Sequence, residues 1–149
     1  MIQEIKDRFF ELAGRSGGTT CPCCGKHGQI YRRKFNSVMA RSLIILYKAG
    51  PNFEWINLIH EAAKTHGQVI GDYGKLEWWG LAEREESDDG VATGRYRLTQ
   101  KGLDFLFNRI EITSHAREYR SNVREFIGGK INIRKAIGDH FDYHELMSA

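Results

Sequence analysis

Apolar residues recur at the spacing of a helix face through the first half of the chain. The four faces consist of Ile2, Ile5, Phe9 and Leu12; Met39, Leu43, Leu46 and Tyr47; Phe53, Ile56, Ile59 and Ala63; and Val69, Tyr73, Leu76 and Gly80. Glycines at 14–18 end the first helix, and the sequence AGPN at 49–52 ends the second, which Asn36 or Ser37 caps. The last three faces predict short consecutive helices, the skeleton of a helix-turn-helix module.

The pattern then changes from helical spacing to alternation. Residues 81–86 and 95–98 predict two strands, which are joined by a turn rich in Asp and Gly. A helix follows directly, with Leu103, Leu106, Phe107 and Ile110 on one face. The order of elements in this region is therefore helix, hairpin and helix.

Beyond residue 112 the pattern is weaker. Three arginines, Arg117, Arg120 and Arg124, lie at helical or near-helical spacing in a polar stretch. The glycines at 128–129 predict a hairpin, and residues 134–147 predict a helix with a break near Gly138. We expect a small C-terminal α/β extension.

Two motifs carry a resemblance to a known fold. Leu76-Glu-Trp-Trp-Gly80-Leu81 resembles the step from the third helix into the wing of winged helix-turn-helix proteins, and Leu98-Thr99-Gln-Lys-Gly102 resembles the step from the wing into the next helix. Bacterial regulators typified by the multiple-antibiotic-resistance and phenolic-acid repressors have both. The resemblance covers residues 37–112 and implies a third helix that enters the major groove of DNA. The chain also has the general look of short bacteriophage proteins.

Three cysteines fall within four residues, in Cys21-Pro22-Cys23-Cys24-Gly25. This sequence is similar to the Cys-Pro-x-Cys-Gly knuckle of zinc ribbons, in which two thiolates bind one ion, so structural zinc is the expected cofactor. Cysteines this close cannot staple distant parts of a fold, and their odd number indicates a reducing compartment. A metal-free turn is the alternative. The flanking residues argue against a redox motif, because they predict neither a buried strand nor a good helix.

A structural zinc has four ligands, and their source is open. The candidate sets are Cys21 and Cys24 with Cys23 and His27, or with His140 and His144, or with ligands from another subunit. The first set crowds four ligands into seven residues. The second presents two imidazoles, four residues apart, on one helix face.

Charge is distributed unevenly along the chain, although the net charge is only +3. Residues 1–50 have a net charge of +6, residues 51–100 of −4 and residues 101–149 of +1. The basic block in the first of these segments contains Lys26, Arg32, Arg33, Lys34 and Arg41 with no acidic residue between them. Such a block favours a polyanionic partner, and a solvated surface is the alternative.

Length and composition limit the class of protein. The chain has 149 residues, the length of one compact domain with appendages. No apolar run approaches the roughly 18 to 20 residues that cross a bilayer, and charges interrupt the first twelve residues, where a signal peptide is apolar. We expect a cytoplasmic protein without a membrane partner. It has neither a nucleotide-binding glycine loop nor a nucleophile elbow, so we do not expect an enzyme.

The sequence thus predicts an α+β fold with a winged helix-turn-helix core. An N-terminal helix, a zinc-knuckle-like loop and the small C-terminal extension are added to this core. The predicted divisions are an amphipathic helix and linker at 1–18, a cysteine knuckle and basic segment at 19–36, the winged-helix domain at 37–112 and the extension at 113–149.

The expected function is binding of double-stranded DNA by a transcriptional regulator, with a homodimer formed through the first or fourth helix. The candidate DNA contacts are Arg32, Arg33, Lys34, Arg41, Gln68, Lys75, Arg95 and Arg97. Asp72, Glu77 and the acidic turn at 85–89 oppose this, because carboxylates repel phosphates. The alternative is an adaptor that binds a protein partner through Trp78 and the acidic wing.

Overall fold

The structure is a computed structural model that describes residues 1–15, 17–64, 71–139 and 141–148. In these ranges the chain has the mixed α+β composition that the sequence predicts, with six α-helices, one 3₁₀ helix and three small antiparallel sheets. The helices are α1 (Ile2–Ala13), α2 (Ser37–Ala49), α3 (Leu58–Ala63), the 3₁₀ helix (Tyr73–Glu77), α4 (Gln100–Leu106), α5 (Ile133–Ile137) and α6 (Tyr143–Ser148). The strands are β1 (Thr19–Thr20), β2 (His27–Gly28), β3 (Tyr31–Lys34), β4 (Ile56–Asn57), β5 (Ala82–Glu86), β6 (Ala92–Leu98), β7 (Ile112–Tyr119) and β8 (Asn122–Ile131).

The chain forms two compact units, each built from two separate segments. Unit 1 contains Met1–Lys34 and Thr113–Gly129, and unit 2 contains Phe35–Ile112 and Lys130–Ala149. The chain thus passes between the units after residues 34, 112 and 129, whereas the divisions predicted from the sequence follow residues 18, 36 and 112. The C-terminal extension contributes to both units.

Helix α1 packs in unit 1 through aromatic contacts near its C-terminal end. The rings of Phe9 and Phe10 meet the Tyr119 ring edge to face, with centroids 5.7 and 5.4 Å apart. Ala13 is fully buried, and its carbonyl accepts a hydrogen bond of 2.8 Å from the backbone N–H of Ile30. The predicted helix is confirmed. The face nearer its N-terminus is uncovered, since Ile2 is 72% exposed.

The sheet of unit 1 has the order β3-β7-β8 and corrects the interpretation of the C-terminal region. Burial alternates along β7, where Ser114, Ala116 and Glu118 are buried and the residues between them are half-buried. The predicted helical spacing of the three arginines is wrong, because Arg117 and Arg124 lie on adjacent strands joined by a turn at 120–121. The predicted hairpin at 128–129 is also wrong, because these glycines lie within β8.

Local sequence rules miss this turn for a physical reason. Arg120 and Ser121 have φ values of 49° and 65°. Two-residue hairpin turns of this left-handed kind usually contain Gly, Asn or Asp. Neither residue is one of these, so the turn lacks its usual sequence signal.

The core of unit 2 is built on α2, as the apolar spacing predicts. Asn36 caps the helix, and its side-chain oxygen accepts a hydrogen bond of 2.9 Å from the backbone N–H of Met39. The inward face contains Met39, Leu43 and Leu46, all fully buried. Phe35, just before the cap, meets the rings of Trp79 and Phe105 edge to face, at centroid distances of 5.3 and 5.6 Å.

The predicted hairpin and the helix after it are confirmed. Strands β5 and β6 pair antiparallel, and β4 adds a short third strand on the other side of β6. The Thr99 hydroxyl donates to the Gly80 carbonyl at 2.6 Å and accepts from the Gly102 backbone N–H at 3.0 Å. Thr99 therefore caps α4 and ties its start to the beginning of the hairpin, where Leu81 is fully buried.

The apolar faces of two shorter helices differ from the prediction. Helix α3 begins only at Leu58, and it buries Leu58 and Ala62, whereas Ile59 is 59% exposed. Phe53 precedes the helix with a φ of 63°, and Ile56 belongs to β4. A strand precedes α3, so Phe53 and Ile56 do not belong to the helix. The predicted apolar face that begins at residue 53 therefore names the wrong inward residues.

Two further helix predictions have different outcomes. The described part of the third predicted helix is the 3₁₀ helix, which buries Leu76, and Val69 lies outside the described residues. Helix α4 buries Phe105 and Leu106 and ends at Leu106, so Phe107 is 41% exposed and not an inward residue.

The break predicted near Gly138 is confirmed. Helix α5 ends at Ile137, Gly138 has a φ of 82°, and α6 follows. The Tyr143 hydroxyl of α6 donates to the Leu106 carbonyl at 2.5 Å. Among the described residues, no helix has both the length and the hydropathy to span a bilayer.

We expect Gly102→Ala to destabilise the protein. A Cβ at this position would collide with the Leu81 carbonyl and lie 2.9 Å from Leu98 Cδ1. Overpacking of this kind costs about 1–3 kcal/mol, which outweighs the roughly 1 kcal/mol that alanine gains over glycine in a helix. Urea unfolding measures the difference. Gly129→Ala is the matched control, because a Cβ there meets nothing within 4 Å. Equal stability of the two variants would contradict the proposed close contact.

Candidate nucleic-acid interface and cysteine turn

Unit 1 has a net positive charge, whereas unit 2 has a small net negative charge. Unit 1 contains ten Lys and Arg residues and five Asp and Glu residues, a net charge of +5. Unit 2 contains twelve and fourteen, a net charge of −2. A polyanion would therefore be attracted by unit 1 and weakly repelled by unit 2.

Strand β3 contains three residues of the basic block, Arg32, Arg33 and Lys34, and forms the edge of the three-stranded sheet of unit 1. All four of its residues are exposed. Arg32 pairs with Arg117 across the strands, and Lys34 pairs with His115. Directly opposed residues of antiparallel strands share a face, so Arg32 and Lys34 project together. Neither has an ion-pair partner in the part of the chain that the structure describes.

Arg33 lies on the other face of β3 and is engaged. Its Nε is 3.3 Å from a carboxylate oxygen of Glu118, and its guanidinium carbon is 4.8 Å from the centroid of the Tyr31 ring. The second Glu118 oxygen accepts a hydrogen bond of 2.9 Å from the backbone N–H of Ser121. The Arg33 side chain thus holds a buried carboxylate in place, although 43% of it stays exposed.

The pKa of His115 is affected by the positive charge of this surface. Its Nδ1 lies 2.7 Å from the Ser114 hydroxyl. Burial lowers the pKa of His115, and the nearby charges of Arg32 and then Lys34 lower it further. The two cations act on the same imidazole because the β3–β7 register brings both to its side of the sheet.

Two further arginines of unit 1 are exposed cations that the sequence analysis does not identify as candidate contacts. The guanidinium of Arg124 lies 3.7 Å from the Phe10 ring centroid, and that of Arg120 lies 5.5 Å from the Tyr119 ring centroid. Arg117, in contrast, pairs with Glu125 at 2.5 Å. Three arginines within eight residues could have indicated a second basic surface in the sequence. The helical interpretation of this segment was wrong, so these arginines were not predicted as contacts.

The candidate DNA contacts of the β5–β6 hairpin are neutralised by acidic residues within unit 2. Arg97 pairs with Glu83 at 2.6 Å, and its guanidinium lies 4.4 Å from the Trp55 ring centroid. Arg95 pairs with Glu85. Exposed pairs of this kind add little stability, but they cancel the charge that a phosphate would contact.

Other candidate contacts of unit 2 also have partners. Lys75 pairs with Asp72 at 2.7 Å. The Arg41 guanidinium lies 4.3 Å from the Phe141 ring centroid, and its buried Nε has no hydrogen-bond partner among the described residues. Gln68 lies outside the described residues. Arg41 keeps its charge but is half-buried, so Arg32 and Lys34 are the candidate cations that are both exposed and without an ion-pair partner among the described residues.

The acidic tip of the hairpin and the half-buried Trp78 are two other notable features of unit 2. A hydrogen bond from the Ser87 hydroxyl lowers the pKa of Asp89, which keeps this turn negatively charged. Trp79 is 3% exposed and belongs to the core, whereas Trp78 is half-buried with Lys75 Nζ 5.8 Å from its ring centroid.

The three cysteines lie in a tight hairpin of unit 1. Strands β1 and β2 pair antiparallel, with Thr20 opposite His27. The Cys21 backbone N–H donates to the Lys26 carbonyl at 2.7 Å, and the Gly25 N–H donates to the Cys21 carbonyl at 2.9 Å. Gly25 has a φ of 72°, so the turn uses the freedom of glycine.

The thiols of this hairpin are free, and those of Cys23 and Cys24 are exposed. Hydrogen bonds from the backbone N–H groups of Cys24 and then Cys23 lower the pKa of Cys21. The three residues are thus arranged so that backbone donors stabilise a thiolate at Cys21.

The full ligand set predicted for zinc is not brought together among the described residues, where no group of three or more His, Cys, Asp or Glu side chains is placed to hold a metal. His144 belongs to unit 2, and its Nε2 lies 2.9 Å from Arg134 Nη2. His140 lies outside the described residues, so the set with Cys21 and Cys24 stays a prediction. His27 Nε2 lies 3.5 Å from Gln29 Oε1.

Comparison of the chain with protein-family models, with curated proteins and with solved structures gives no match. The resemblance of residues 37–112 to winged helix-turn-helix regulators therefore stays a prediction.

We expect the double variant Arg32→Gln/Lys34→Gln to raise the pKa of His115, because both charges that disfavour the imidazolium are removed. Burial, the larger cause, remains, so the pKa stays below the ordinary value of about 6.5. An NMR titration of the His115 ring protons measures the change. Lys48→Gln/Lys101→Gln, which removes two exposed charges from unit 2, is the control.

The same shift affects stability in a defined direction. Since the folded-state pKa is lowered, the unfolded chain binds the proton first as the pH falls. The contribution of His115 to the free energy of unfolding is therefore lost as the pH falls from about 6.5 through the folded-state pKa. The loss is smaller in the Arg32→Gln/Lys34→Gln variant. An unchanged His115 pKa would contradict the shared face of β3 and β7.

Proposed function

We propose that the protein binds double-stranded DNA, with unit 1 as its main contact, and acts as a transcriptional regulator and not as an enzyme. The observation that carries the proposal is the segregation of charge, with +5 on unit 1 and −2 on unit 2. A DNA duplex carries one negative charge for about every 1.7 Å of its length, so a concentrated basic surface is the feature that it requires.

The available cations of unit 1 support this role. Arg32 and Lys34 project from one face of an exposed edge strand, and Arg120 and Arg124 are exposed at the hairpin of the same sheet. A cation without an acidic partner can release counterions from the phosphate backbone without first breaking an ion pair. Binding through these residues would supply affinity with little dependence on base sequence.

We further propose that unit 2 contains a winged helix-turn-helix arrangement. Its support is the order of α2, β4, α3, the 3₁₀ helix, the β5–β6 hairpin and α4, with Thr99 joining the hairpin to α4. Because Arg95, Arg97 and Lys75 are paired with carboxylates, this unit would add shape and limited base contact, and little electrostatic affinity.

A second candidate function for unit 2 is that of an adaptor that binds another protein. The neutralised hairpin cations and the half-buried Trp78 favour it. Tryptophans of this kind are frequent anchors in protein interfaces, where charge matters less than apolar contact. If unit 2 is such an adaptor, DNA binding depends on unit 1 alone.

We expect Arg32→Gln/Lys34→Gln to weaken binding to a random-sequence duplex by about tenfold or more at about 50 mM salt. The logarithm of the affinity decreases linearly with the logarithm of the salt concentration. This slope should become less steep by about 1.8, which corresponds to two lost phosphate contacts. Fluorescence anisotropy at several salt concentrations measures both quantities.

The control for this experiment is Lys48→Gln/Lys101→Gln, which changes the net charge equally but in unit 2. Its affinity and salt slope should stay close to those of the unchanged protein. Equal losses in the two variants would show that only net charge matters and would remove unit 1 as the contact surface. No binding by the unchanged protein at low salt would overturn the proposed function.

We expect Glu83→Gln/Glu85→Gln to strengthen DNA binding, because it frees the charges of Arg95 and Arg97. The gain should be severalfold, with a steeper salt dependence, if the hairpin lies against the phosphate backbone. Glu111→Gln/Asp139→Asn is the control, since both are exposed acidic residues of unit 2 outside the hairpin. Equal gains in both variants would contradict winged-helix docking and favour the adaptor.

A further inference from the structure

The cysteine hairpin contains two of the four ligands that a structural zinc site needs. Its backbone is fixed by the β1–β2 pairing and by the two hydrogen bonds at Cys21, and its three thiols are free. Cys21 and Cys24 are separated by two residues, the spacing at which two thiolates bind one ion. Zinc bound by two thiolates needs two further ligands. Among the described residues, no group of three or more His, Cys, Asp or Glu side chains is placed to hold an ion, although Cys23 lies in the same hairpin.

An uncovered apolar groove lies directly beside the hairpin, within unit 1. It has a volume of about 500 Å³ and is lined by one face of α1 and by the hairpin, including Pro22 and Cys23. The residues of α1 that line it include Ile5, Phe9 and Leu12. Pro22 and Cys23, which lie between Cys21 and Cys24 in the sequence, line the groove, so the incomplete ligand set borders the uncovered apolar surface.

The charged residues of the groove make this surface complementary to itself. Glu4 and Arg8 both line it, four residues apart on α1. Arg8 also forms an exposed ion pair of 2.9 Å with Glu11 of its own helix, which adds little stability and which pairing with a second copy would replace. When two identical helices pack antiparallel about a two-fold axis, Glu4 of each copy can face Arg8 of the other. A two-fold axis also supplies ligands in equal numbers, so two copies of a two-thiolate hairpin give the four thiolates of a tetrahedral zinc site.

We propose that two copies of this chain pair through unit 1 and share one zinc ion, which is bound by Cys21 and Cys24 of each copy. Helix α1 of each copy covers the apolar groove of the other. The thiols lose their protons to solvent when the ion binds, so each zinc replaces up to four protons. Cys23 is not a ligand and lies against the groove. This proposal does not rest on DNA binding.

The test measures metal content and molecular mass of the full-length protein, purified under reducing conditions in the presence of zinc. We expect about 0.5 zinc per chain and the mass of a dimer, since one ion serves two copies. Removal of zinc with a chelator should give the monomer, and addition of zinc alone should restore the dimer. Replacement of zinc by Co²⁺ should give the absorption spectrum of a tetrahedral site with four thiolates.

Variants separate the ligands from their neighbours. Cys21→Ser and Cys24→Ser should each lower the zinc content below about 0.1 per chain and give a monomer, because a structural site loses most of its affinity with one thiolate missing in each copy. Cys23→Ser is the matched control and should keep both the zinc and the dimer. Far-UV circular dichroism and the thermal unfolding of all three variants confirm that the fold is retained.

Three results would overturn the proposal. One zinc per chain in a monomer, with a cobalt spectrum typical of mixed thiolate and imidazole ligands, would assign the site to Cys21, Cys24 and histidines of the same chain. A metal-free protein after purification in zinc would show that the hairpin is only a turn. A dimer that survives chelation and the cysteine substitutions would show that the ion does not hold the copies together.

Discussion

The antiparallel pairing of β3 with β7 is the constraint on which the proposed DNA-binding surface depends. It joins Tyr31–Lys34 to a strand about eighty residues further along the chain, so unit 1 exists only when two distant segments meet. The register turns Arg33 toward the buried Glu118 and sends Arg32 and Lys34 to the opposite face, beside His115. A shift of one residue would exchange these roles, because neighbouring residues of a strand face opposite ways. One backbone register therefore decides which arginine stabilises the fold and which cations are available to a ligand.

The exposed arginines of the β5–β6 hairpin in unit 2 and of the β7–β8 hairpin in unit 1 have different partners. In unit 2, Arg95 and Arg97 lie on β6 opposite a strand rich in glutamate, and each meets a carboxylate. In unit 1, the exposed guanidinium groups of Arg120 and Arg124 lie near aromatic rings, which orients the side chains without cancelling their charge. Four other arginines of unit 1 are paired with carboxylates among the described residues: Arg8, Arg15, Arg33 and Arg117. Unit 1 has a net charge of +5 because its basic residues outnumber its acidic ones, and Arg120 and Arg124 are exposed members of that excess. In the β5–β6 hairpin of unit 2, carboxylates neutralise Arg95 and Arg97.

Unit 1 also contains the cysteine hairpin and the uncovered face of α1. A helix of twelve residues with exposed Ile2 and Ile5 has little stability by itself and needs a packing partner for its apolar face. Near Ala13 that partner is the sheet of its own unit. Toward the N-terminus a second copy, joined through zinc, would supply the cover, and the dimer would carry two copies of the basic strand. Dimerisation would then double the charge offered to a DNA duplex and favour a two-fold symmetric site.

The sequence by itself determined the elements that depend on neighbours a few positions apart. The Asn36 cap and apolar face of α2, the β5–β6 hairpin with Thr99 at the start of α4, and the break at Gly138 all follow local rules of capping, periodicity and turn chemistry. The tertiary structure decided what depends on distant partners: the strand identity of residues 112–131, the entry into α3 through β4, and the pairing state of each cation. Arg33 and Glu118 are eighty-five residues apart, and the turn at Arg120 and Ser121 has no glycine to mark it. Burial and ion pairing are properties of residues brought together in space, so the basic block could be recognised from its composition, but its available members could be identified only in the folded chain.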